Sequence, residues 1–354
     1  MQEQNLLLPF NGDAFKEAFE TLGHCKDKLI VITAHRSPDG DALGSALGLQ
    51  NHLASTGFEQ VKVVLPDGFP AFYDWMPGAG DVVLFDNSPA EAQDLLAKAA
   101  FVFCLDFNAL NRLGSEMAAA VESLQAPVVM IDHHMHPTGF ATWNFDDSTC
   151  GSTAELVFRW MEAGGETHLL NPATAACLYT GVMTDTGSFR FPSVSPATHR
   201  MAARLLETGI SHADIHAAVY DSNRVDRLKL TGYALSEKLE VYPESACAMI
   251  VLNLQELNRY HAQSGDTEGL VNQALSIEGV NCAVFIREAK HGRVKLSLRS
   301  RGAFSVREVA EAHFNGGGHH NAAGGAVDGA TAEQVADIWR SLIPQYGPAM
   351  KASC

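Results

Sequence analysis

The sequence predicts an α/β protein with an N-terminal, doubly wound, mainly parallel sheet and a smaller C-terminal α/β domain of mixed sheet, with a cleft between them. Three observations carry this expectation. Short Val-, Ile- and Phe-rich runs alternate with helix-period segments through the first half, the pattern restarts beyond about residue 240, and 354 residues suit about two domains at roughly 100–200 residues each. With 46% hydrophobic and 19% charged residues, the composition is that of a globular protein and excludes a disordered or fibrous chain.

Leu29–Thr33, Val61–Leu65, Val82–Phe85, Phe101–Leu105 and Val128–Ile131 are each four or five residues long and bounded by Asp, Gly or Pro, as buried parallel strands are. Between them, Ala42–Ala54, Pro89–Lys98 and Ser115–Leu124 place apolar residues at three- and four-residue spacing, which predicts crossover helices. The pattern turns helical from Ser152 to about Gly181 and continues helical through Pro196–Leu206 and His212–Leu239. The expected domains are therefore residues 1–211, a helical connector at 212–240, and residues 241–354. In the last of these, the expected strands are Cys247–Leu254, Asn281–Arg287 and Arg293–Arg299, with a turn containing Lys290–Gly292. Helices are expected at Gly269–Ser276 and Val306–Phe314, and a glycine-rich loop, Gly316–Gly325, precedes a short strand and a final helix, Thr331–Leu342.

Residues 1–234 carry 14 basic and 28 acidic side chains, and residues 235–354 carry 11 and 13, within a net charge of −16. So acidic a first part repels a long polyanion and disfavours extended duplex nucleic acid, while leaving small anionic substrates open. Seven cysteines (Cys25, Cys104, Cys150, Cys177, Cys247, Cys282 and Cys354) form no C-x-x-C pair and read as buried thiols of a reducing compartment. The start, MQEQNLLLPFNGDAFKE, lacks a basic region and a long apolar stretch, and no run reaches the roughly 18 apolar residues of a membrane span. A soluble cytoplasmic protein is the expectation, with no membrane partner; a homodimer is compatible with it.

Candidate chemistry gathers where strands end. His35, Asp39 and Asp41 lie in A-H-R-S-P-D-G-D-A directly after the Leu29–Thr33 strand; Asp106 ends Phe101–Leu105; Asp132, His133 and His134 end Val128–Ile131. Asp185 follows in G-V-M-T-D-T-G, in an expected turn after a Pro172–Met183 helix. By themselves, Asp39 and Asp41 also suit turn and helix N-cap positions. Their recurrence with Asp and His at the carboxyl ends of further strands, where doubly wound sheets bind ligands, points to metal ligation. Four carboxylates and two imidazoles are enough for two ions, one carboxylate bridging them.

These motifs, in this order, resemble the DHH phosphoesterases: H-x-x-x-D-x-D, a strand-terminal Asp, D-H-H and G-x-x-x-D-T-G. The likeness continues in Gly316–His319 with Ala322–Gly325, which is similar to the G-G-G-H-x-x-A-A-G loop of the associated C-terminal domain. The resemblance implies that His35 and Asp39 bind one divalent ion, that Asp41, His133 and Asp185 bind the other, and that Asp106 bridges. It implies further that His134 faces substrate phosphate and that Asp132 orients a metal-ligating imidazole. Mixed imidazole and carboxylate ligation leans to Mn²⁺ over Mg²⁺.

Substrate contacts are expected from Arg299, His319, Gly317 and Gly318, and from Arg112 in N-A-L-N-R-L-G. Glycines let backbone N–H groups approach an anion, and Arg299 can grip a phosphate in two places. Seven basic residues against the single acidic Glu288 lie between Arg287 and Arg307, a cationic patch in an acidic chain. Alternation in R-V-K-L-S-L-R puts Arg293, Lys295, Ser297 and Arg299 on one strand face, which also suits a solvated outer face. Ser152–Thr153 in C-G-S-T-A-E match positions that the resembled family often uses around the substrate, while Ser152 also suits a helix N-cap with Glu155 as its capping-box partner.

Length and two-domain plan are most similar to the nanoRNase group of these phosphoesterases. The implied activity is hydrolysis of short single-stranded oligoribonucleotides, dinucleotides such as pApA, and phosphorylated mononucleotides such as 3′-phosphoadenosine 5′-phosphate. The alternative is a stand-alone cyclic-dinucleotide (c-di-AMP) phosphodiesterase. An inorganic pyrophosphatase shares the metal motifs without the G-G-G-H loop, and a non-catalytic nucleotide-binding protein would be expected to lack ligands.

Overall fold

A computed structural model describes residues 9, 10, 12–289 and 292–353, which divide into two units, Met1–Ser222 and Asn223–Cys354. Lys290 and His291 of the expected turn, and Cys354, lie outside the described residues.

The first unit opens with a helix absent from the expectation, α1 (Asp13–Gly23). Its buried residues Phe15, Ala18 and Leu22 recur at helical spacing. Phe15 stacks edge-on against Trp160 with ring centroids 4.9 Å apart. There follow β1 (Leu29–Ala34), α2 (Gly40–Ser55), β2 (Gln60–Leu65), β3 (Val83–Leu84), α3 (Pro89–Lys98), β4 (Phe101–Leu105), α4 (Ser115–Glu122) and β5 (Val128–Asp132). The unit ends with β6 (Trp143–Asp146), α5 (Thr153–Ala163), α6 (Pro172–Asp185), α7 (Pro196–Leu206) and α8 (His212–Tyr220). β6 was also missed: only Phe145 of its four residues is buried, too weak a pattern to read as a strand.

Among the described residues the six strands form one parallel sheet in the order β3-β2-β1-β4-β5-β6. The chain leaves β1 toward β2 on one side, whereas β4 lies on the other, so the loops after β1 and β4 diverge and open a crevice at the strands' carboxyl ends. β1 and β4 are buried on both faces, as their unbroken apolar sequences require.

Helices α2, α5 and α6 pack on one another beside the sheet. Glycines set their distance. A Cβ on Gly44 of α2 would fall 2.6 Å from the carbonyl oxygen of Cys177 and 2.8 Å from the nitrogen of Gly181, both on α6. A Cβ on Gly181 would fall 2.9 Å from Oδ1 of Asp41. Backbone therefore meets backbone, and the first turn of α2 is brought beside the last turn of α6.

The expected connector is divided. α8 belongs to the first unit, and α9 (Val225–Glu237) begins the second. After it come β7 (Leu239–Tyr242), β8 (Cys247–Leu252), α10 (Leu254–Arg259), α11 (Leu270–Leu275), β9 (Cys282–Ala289), β10 (Arg293–Ser300), α12 (Val306–His313), β11 (Gly317–His319), β12 (Ala322–Asp328) and α13 (Ala332–Lys351). The sheet order is β11-β12-β10-β9-β8-β7, with only β8 and β9 parallel, so the expected mixed sheet is present.

β7 and α10 are absent from the expectation, and the expected Cys247–Leu254 strand stops at Leu252 because Leu254 opens α10; two departures are larger. The final helix runs nine residues past Leu342 and contains Pro344 and Pro348, because tertiary contacts outweigh the lost hydrogen bonds: Met350 is fully buried and its carbonyl accepts from Asn281 Nδ2 at 3.0 Å. The Gly316–Gly325 run is not a loop but the β11–β12 hairpin, pairing Gly317 with Gly324, Gly318 with Ala323 and His319 with Ala322. The six described cysteines are buried free thiols. No helix among the described residues is long and apolar enough to cross a membrane.

Candidate active site

The crevice collects side chains from five segments of the first unit. Asp39 is the N-cap of α2, its Oδ1 accepting from the amides of Asp41 and Ala42 at 3.1 Å each, so the capping role and a place in the site coincide. Asp41, in the first turn of α2, is 1% exposed. Asp106 follows β4 with φ +64°, a left-handed conformation that Asp tolerates better than most residues. Asp132 closes β5, and His133 and His134 follow it. Asp185 is the last residue of α6 rather than part of a turn, and Thr180, Thr184 and Thr186 return their hydroxyls to carbonyls of the same helix, which satisfies these buried and half-buried polar groups within it.

Asp106 is the centre of the arrangement. Its Oδ2 lies 3.3 Å from His35 Nε2, and its Oδ1 lies 3.5 Å from His133 Nε2. His35 Nε2 is also 4.0 Å from Asp39 Oδ1, and His133 Nε2 is 3.3 Å from Asp185 Oδ2 and 3.8 Å from Asp41 Oδ2. The ligand atoms of His35, Asp39 and Asp106 lie within 4.8 Å of one another, as do those of Asp41, His133 and Asp185.

The donor set fits divalent cations. His35 Nδ1 donates to the carbonyl of Arg36 at 3.0 Å and His133 Nδ1 to that of Cys150 at 3.3 Å, which turns both Nε2 atoms toward the carboxylates. Asp132 accepts from His134 Nδ1 at 2.7 Å. This corrects one expectation: the imidazole that Asp132 orients is His134, and a backbone carbonyl orients His133. Ser152 caps α5 through Glu155 N, but Glu155 does not complete a capping box; its carboxylate is taken by Arg159 at 2.6 Å and Thr198 at 2.8 Å.

Burial raises Asp41, and the neighbouring carboxylates Asp106 and Asp185 add to it, so its pKa stands well above the usual carboxylate range. Burial alone would lower His133, but the hydrogen bond to Asp106 and the charges of Asp185, Asp106 and Asp41 outweigh it and hold His133 well above the ordinary imidazole value. Burial would raise Asp106, but hydrogen bonds from His133 and His35 dominate and hold it well below. Without metal, the site balances its anions with a proton on His133. A divalent cation would displace that proton, so its affinity is expected to rise as pH climbs through the elevated His133 value, with proton release on binding. The stability that the His133 proton gives the metal-free chain runs the other way: it is complete below about pH 6.5 and lost as pH rises through the elevated folded value. Isothermal titration in buffers of different ionisation enthalpy, with metal-free melting curves over the same range, checks both signs.

Arg112 lies on the turn Leu110–Leu113, half-buried and close enough to His35 for its charge to oppose protonation there. Its carbonyl accepts from Arg36 N at 2.9 Å, and Arg36 grips Asp86 with two hydrogen bonds, at 2.7 and 2.8 Å, which anchors the loop carrying His35.

In the second unit, Arg299 pairs across to Ala322, and Ala322 pairs to His319, so the three share one sheet face. Burial alternates along β10 as the sequence predicts, with Val294, Leu296, Leu298 and Ser300 inward and Arg293, Lys295, Ser297 and Arg299 outward. The hairpin needs its glycines for its own packing. A Cβ on Gly316 would fall 2.1 Å from the carbonyl oxygen of Gly324, and one on Gly318, at φ +134°, 2.6 Å from that of Ala322. Gly317 has nothing within 4 Å of such an atom, so close packing does not explain it.

A doubly wound sheet whose switch-point crevice holds interlocked His and Asp trios, followed by a mixed-sheet unit with a glycine hairpin, defines a class of metal-ligating α/β proteins. The chain belongs to the DHH family. It matches the DHH family, N-terminal domain, over residues 29–182 and the DHHA1 domain over residues 248–343. It is 31% identical to the bifunctional oligoribonuclease and PAP phosphatase NrnA of Thermus thermophilus, covering 86% of each chain, and 24% identical to the Bacillus subtilis protein of the same name, covering 84% of this chain and 89% of that one. It also resembles the crystal structure of an exopolyphosphatase-related protein from Bacteroides fragilis, with a TM-score of 0.88, 38% identity and 98% of each chain covered.

Thr153, which the resemblance places around the substrate, also bonds two of the ligand candidates. Its hydroxyl donates to Asp106 Oδ1 at 2.9 Å and its amide to Asp41 Oδ2 at 2.6 Å. The C-G-S-T-A-E pattern does not show these two bonds, since both partners lie far away in sequence.

Proposed function

We propose that this protein is a metal-dependent phosphoesterase that hydrolyses short oligoribonucleotides and 3′-phosphoadenosine 5′-phosphate. Family membership and the names of its relatives support the reaction class. The observation that carries the reading is Asp106, whose two oxygens face the two histidines of separate ligand trios. In this reading His35, Asp39 and Asp106 hold one ion, Asp41, His133 and Asp185 hold the second, and Asp106 bridges. Manganese suits this mixed imidazole and carboxylate set better than magnesium. Bound there, two divalent ions supply an activated water and neutralise charge on the transferring phosphate.

The chain's own residues do the rest. Asp132 holds His134 through Nδ1, and His134 contacts the substrate phosphate through Nε2. Arg112 adds a positive charge beside His35. Arg299, His319, Gly317 and Gly318 hold a phosphorylated end of the substrate. Buried free cysteines suit a reducing, cytoplasmic setting.

Arg299→Ala is expected to raise KM for 5′-phosphorylated dinucleotides by about 10- to 100-fold, the loss of a charge-assisted grip worth roughly 1.5–3 kcal/mol, while sparing turnover of a generic aryl phosphate. An equal loss on both substrates would make Arg299 structural. The function itself is tested by incubating the protein and Mn²⁺ with pApA, a short RNA ladder, 3′-phosphoadenosine 5′-phosphate and c-di-AMP. Turnover of the first three is expected; preference for c-di-AMP would make this a cyclic-dinucleotide phosphodiesterase, and metal binding without any turnover would make it a binding protein.

A further inference from the structure

The segment from Asp147 to Ala154 runs from the end of β6 into the first turn of α5 and contains none of the proposed metal ligands, yet it touches three of them. The Cys150 carbonyl accepts from His133 Nδ1 at 3.3 Å. The amides of Thr153 and Ala154 donate to Asp41 Oδ2 and Oδ1 at 2.6 and 2.9 Å. The Thr153 hydroxyl donates to Asp106 Oδ1 at 2.9 Å. Every one of these groups is buried.

The segment is itself pinned. Asp147 Oδ1 accepts from the amide and hydroxyl of Thr149, at 3.0 and 2.6 Å, and the Asp147 carbonyl accepts from Cys150 N at 3.0 Å. Asp147 Oδ2 accepts from Arg159, which is also tied to buried Glu155. The first turn of α5 and the pinned loop before it therefore fix the rotamers of side chains drawn from α2, from the turn after β4 and from the turn after β5.

From these contacts we infer that Thr153 is a positioning residue of the metal centre, its hydroxyl holding the Asp106 carboxylate in the rotation that offers one oxygen to each ligand trio. The inference rests on the two-ion reading above. Because Asp106 Oδ1 also faces His133 at 3.5 Å, a carboxylate without the Thr153 bond is free to turn toward that imidazole and leave the His35 side with a poorer ligand. Thr153 itself touches no reacting atom. Its hydroxyl acts through Asp106, and outer groups of this kind typically tune metal affinity by 10- to 100-fold.

The test measures Mn²⁺ binding to the full chain by electron paramagnetic resonance and titration calorimetry, independently of turnover. Thr153→Val, which keeps the branched shape and removes the hydroxyl, is expected to weaken the tighter manganese site by about 10- to 100-fold. Thr153→Ser is expected to restore binding to near that of the unmodified chain. At saturating Mn²⁺, KM for pApA should stay unchanged in both.

Should Thr153→Val prove unable to fold, Thr153→Ala makes the same deletion with a smaller side chain and carries the same expectation. Manganese binding by the hydroxyl-free variant equal to that of the unmodified chain would overturn the proposal. So would an equal loss in Thr153→Ser, since the methyl group rather than the hydroxyl would then matter. If the unmodified chain itself bound no manganese, the proposed function would fall and this inference with it; normal binding there with no effect at Thr153 sinks the inference alone.

Discussion

Asp106→Asn is expected to lower the rate of pApA hydrolysis by about 10³-fold or more, because in the two-ion reading proposed above a metal pair would supply several kcal/mol of transition-state stabilisation and about 1.36 kcal/mol is a factor of ten. The substitution keeps the shape of the side chain and the tolerance for φ +64°, whereas alanine at this position would add strain of its own. What it removes is the negative charge shared by the two trios and one of the two oxygens. The metal-free fold is expected to survive, with His133 facing a neutral amide in place of the Asp106 carboxylate and titrating closer to the ordinary imidazole value. Initial rates with Mn²⁺ and a histidine-detected NMR titration of the metal-free protein measure the two effects. Full activity in the Asn variant would show that Asp106 bridges nothing.

Gly44→Ala is expected to destabilise the first unit by about 3 kcal/mol, the upper range for overpacking a close-fitted core, which lowers Tm by roughly 6–12 °C for a unit of this size. The new methyl group would meet the carbonyl of Cys177 and the amide of Gly181. Backbone atoms have no rotamer to move into, so α2 and α6 must separate. Because α2 carries Asp41 and α6 carries Asp185, manganese affinity should fall together with stability. Gly48→Ala is the control. Its Cβ would meet the side chain of Leu178, at 2.6 Å from Cδ2 and 2.8 Å from Cγ, so that side chain must shift, but the nearest backbone atom, Leu178 N, stays at an ordinary 3.5 Å and the better helix propensity of alanine offsets part of the cost. Thermal melts of both variants without metal should separate them clearly; equal Tm values would mean that the glycine contact does not govern the helix spacing.

The glycine contact also illustrates where sequence reading reaches its limit. Gly44 looks like an ordinary helix-weakening residue in D-A-L-G-S-A-L-G, and nothing local shows that the partner helix starts more than a hundred residues later. Thr153 is similar: its neighbour Ser152 carries the visible capping signal, while the bonds to Asp41 and Asp106 are formed across about 112 and 47 positions of sequence. The glycine hairpin was misread as a loop because glycine is permissive in either setting, and α13 was cut short because Pro344 reads locally as a stop.

Local chemistry, by contrast, was enough for the alternation of buried strands and helices and for the clusters of Asp and His at strand ends. Strand period, propensity and turn residues act over a few positions, so they can be read without coordinates. The amino-acid order by itself therefore determined the parallel sheet, the second mixed-sheet unit and the ligand candidates His35, Asp39, Asp41, Asp106, His133 and Asp185. Only the tertiary structure decided that Asp106 turns one oxygen to each histidine, that a carbonyl rather than Asp132 orients His133, and that the first turn of α5 and the loop leading into it hold three of these side chains. The physical reason is reach: a hydrogen bond or a helix contact depends on distances of a few ångströms between segments that only the folded chain brings together.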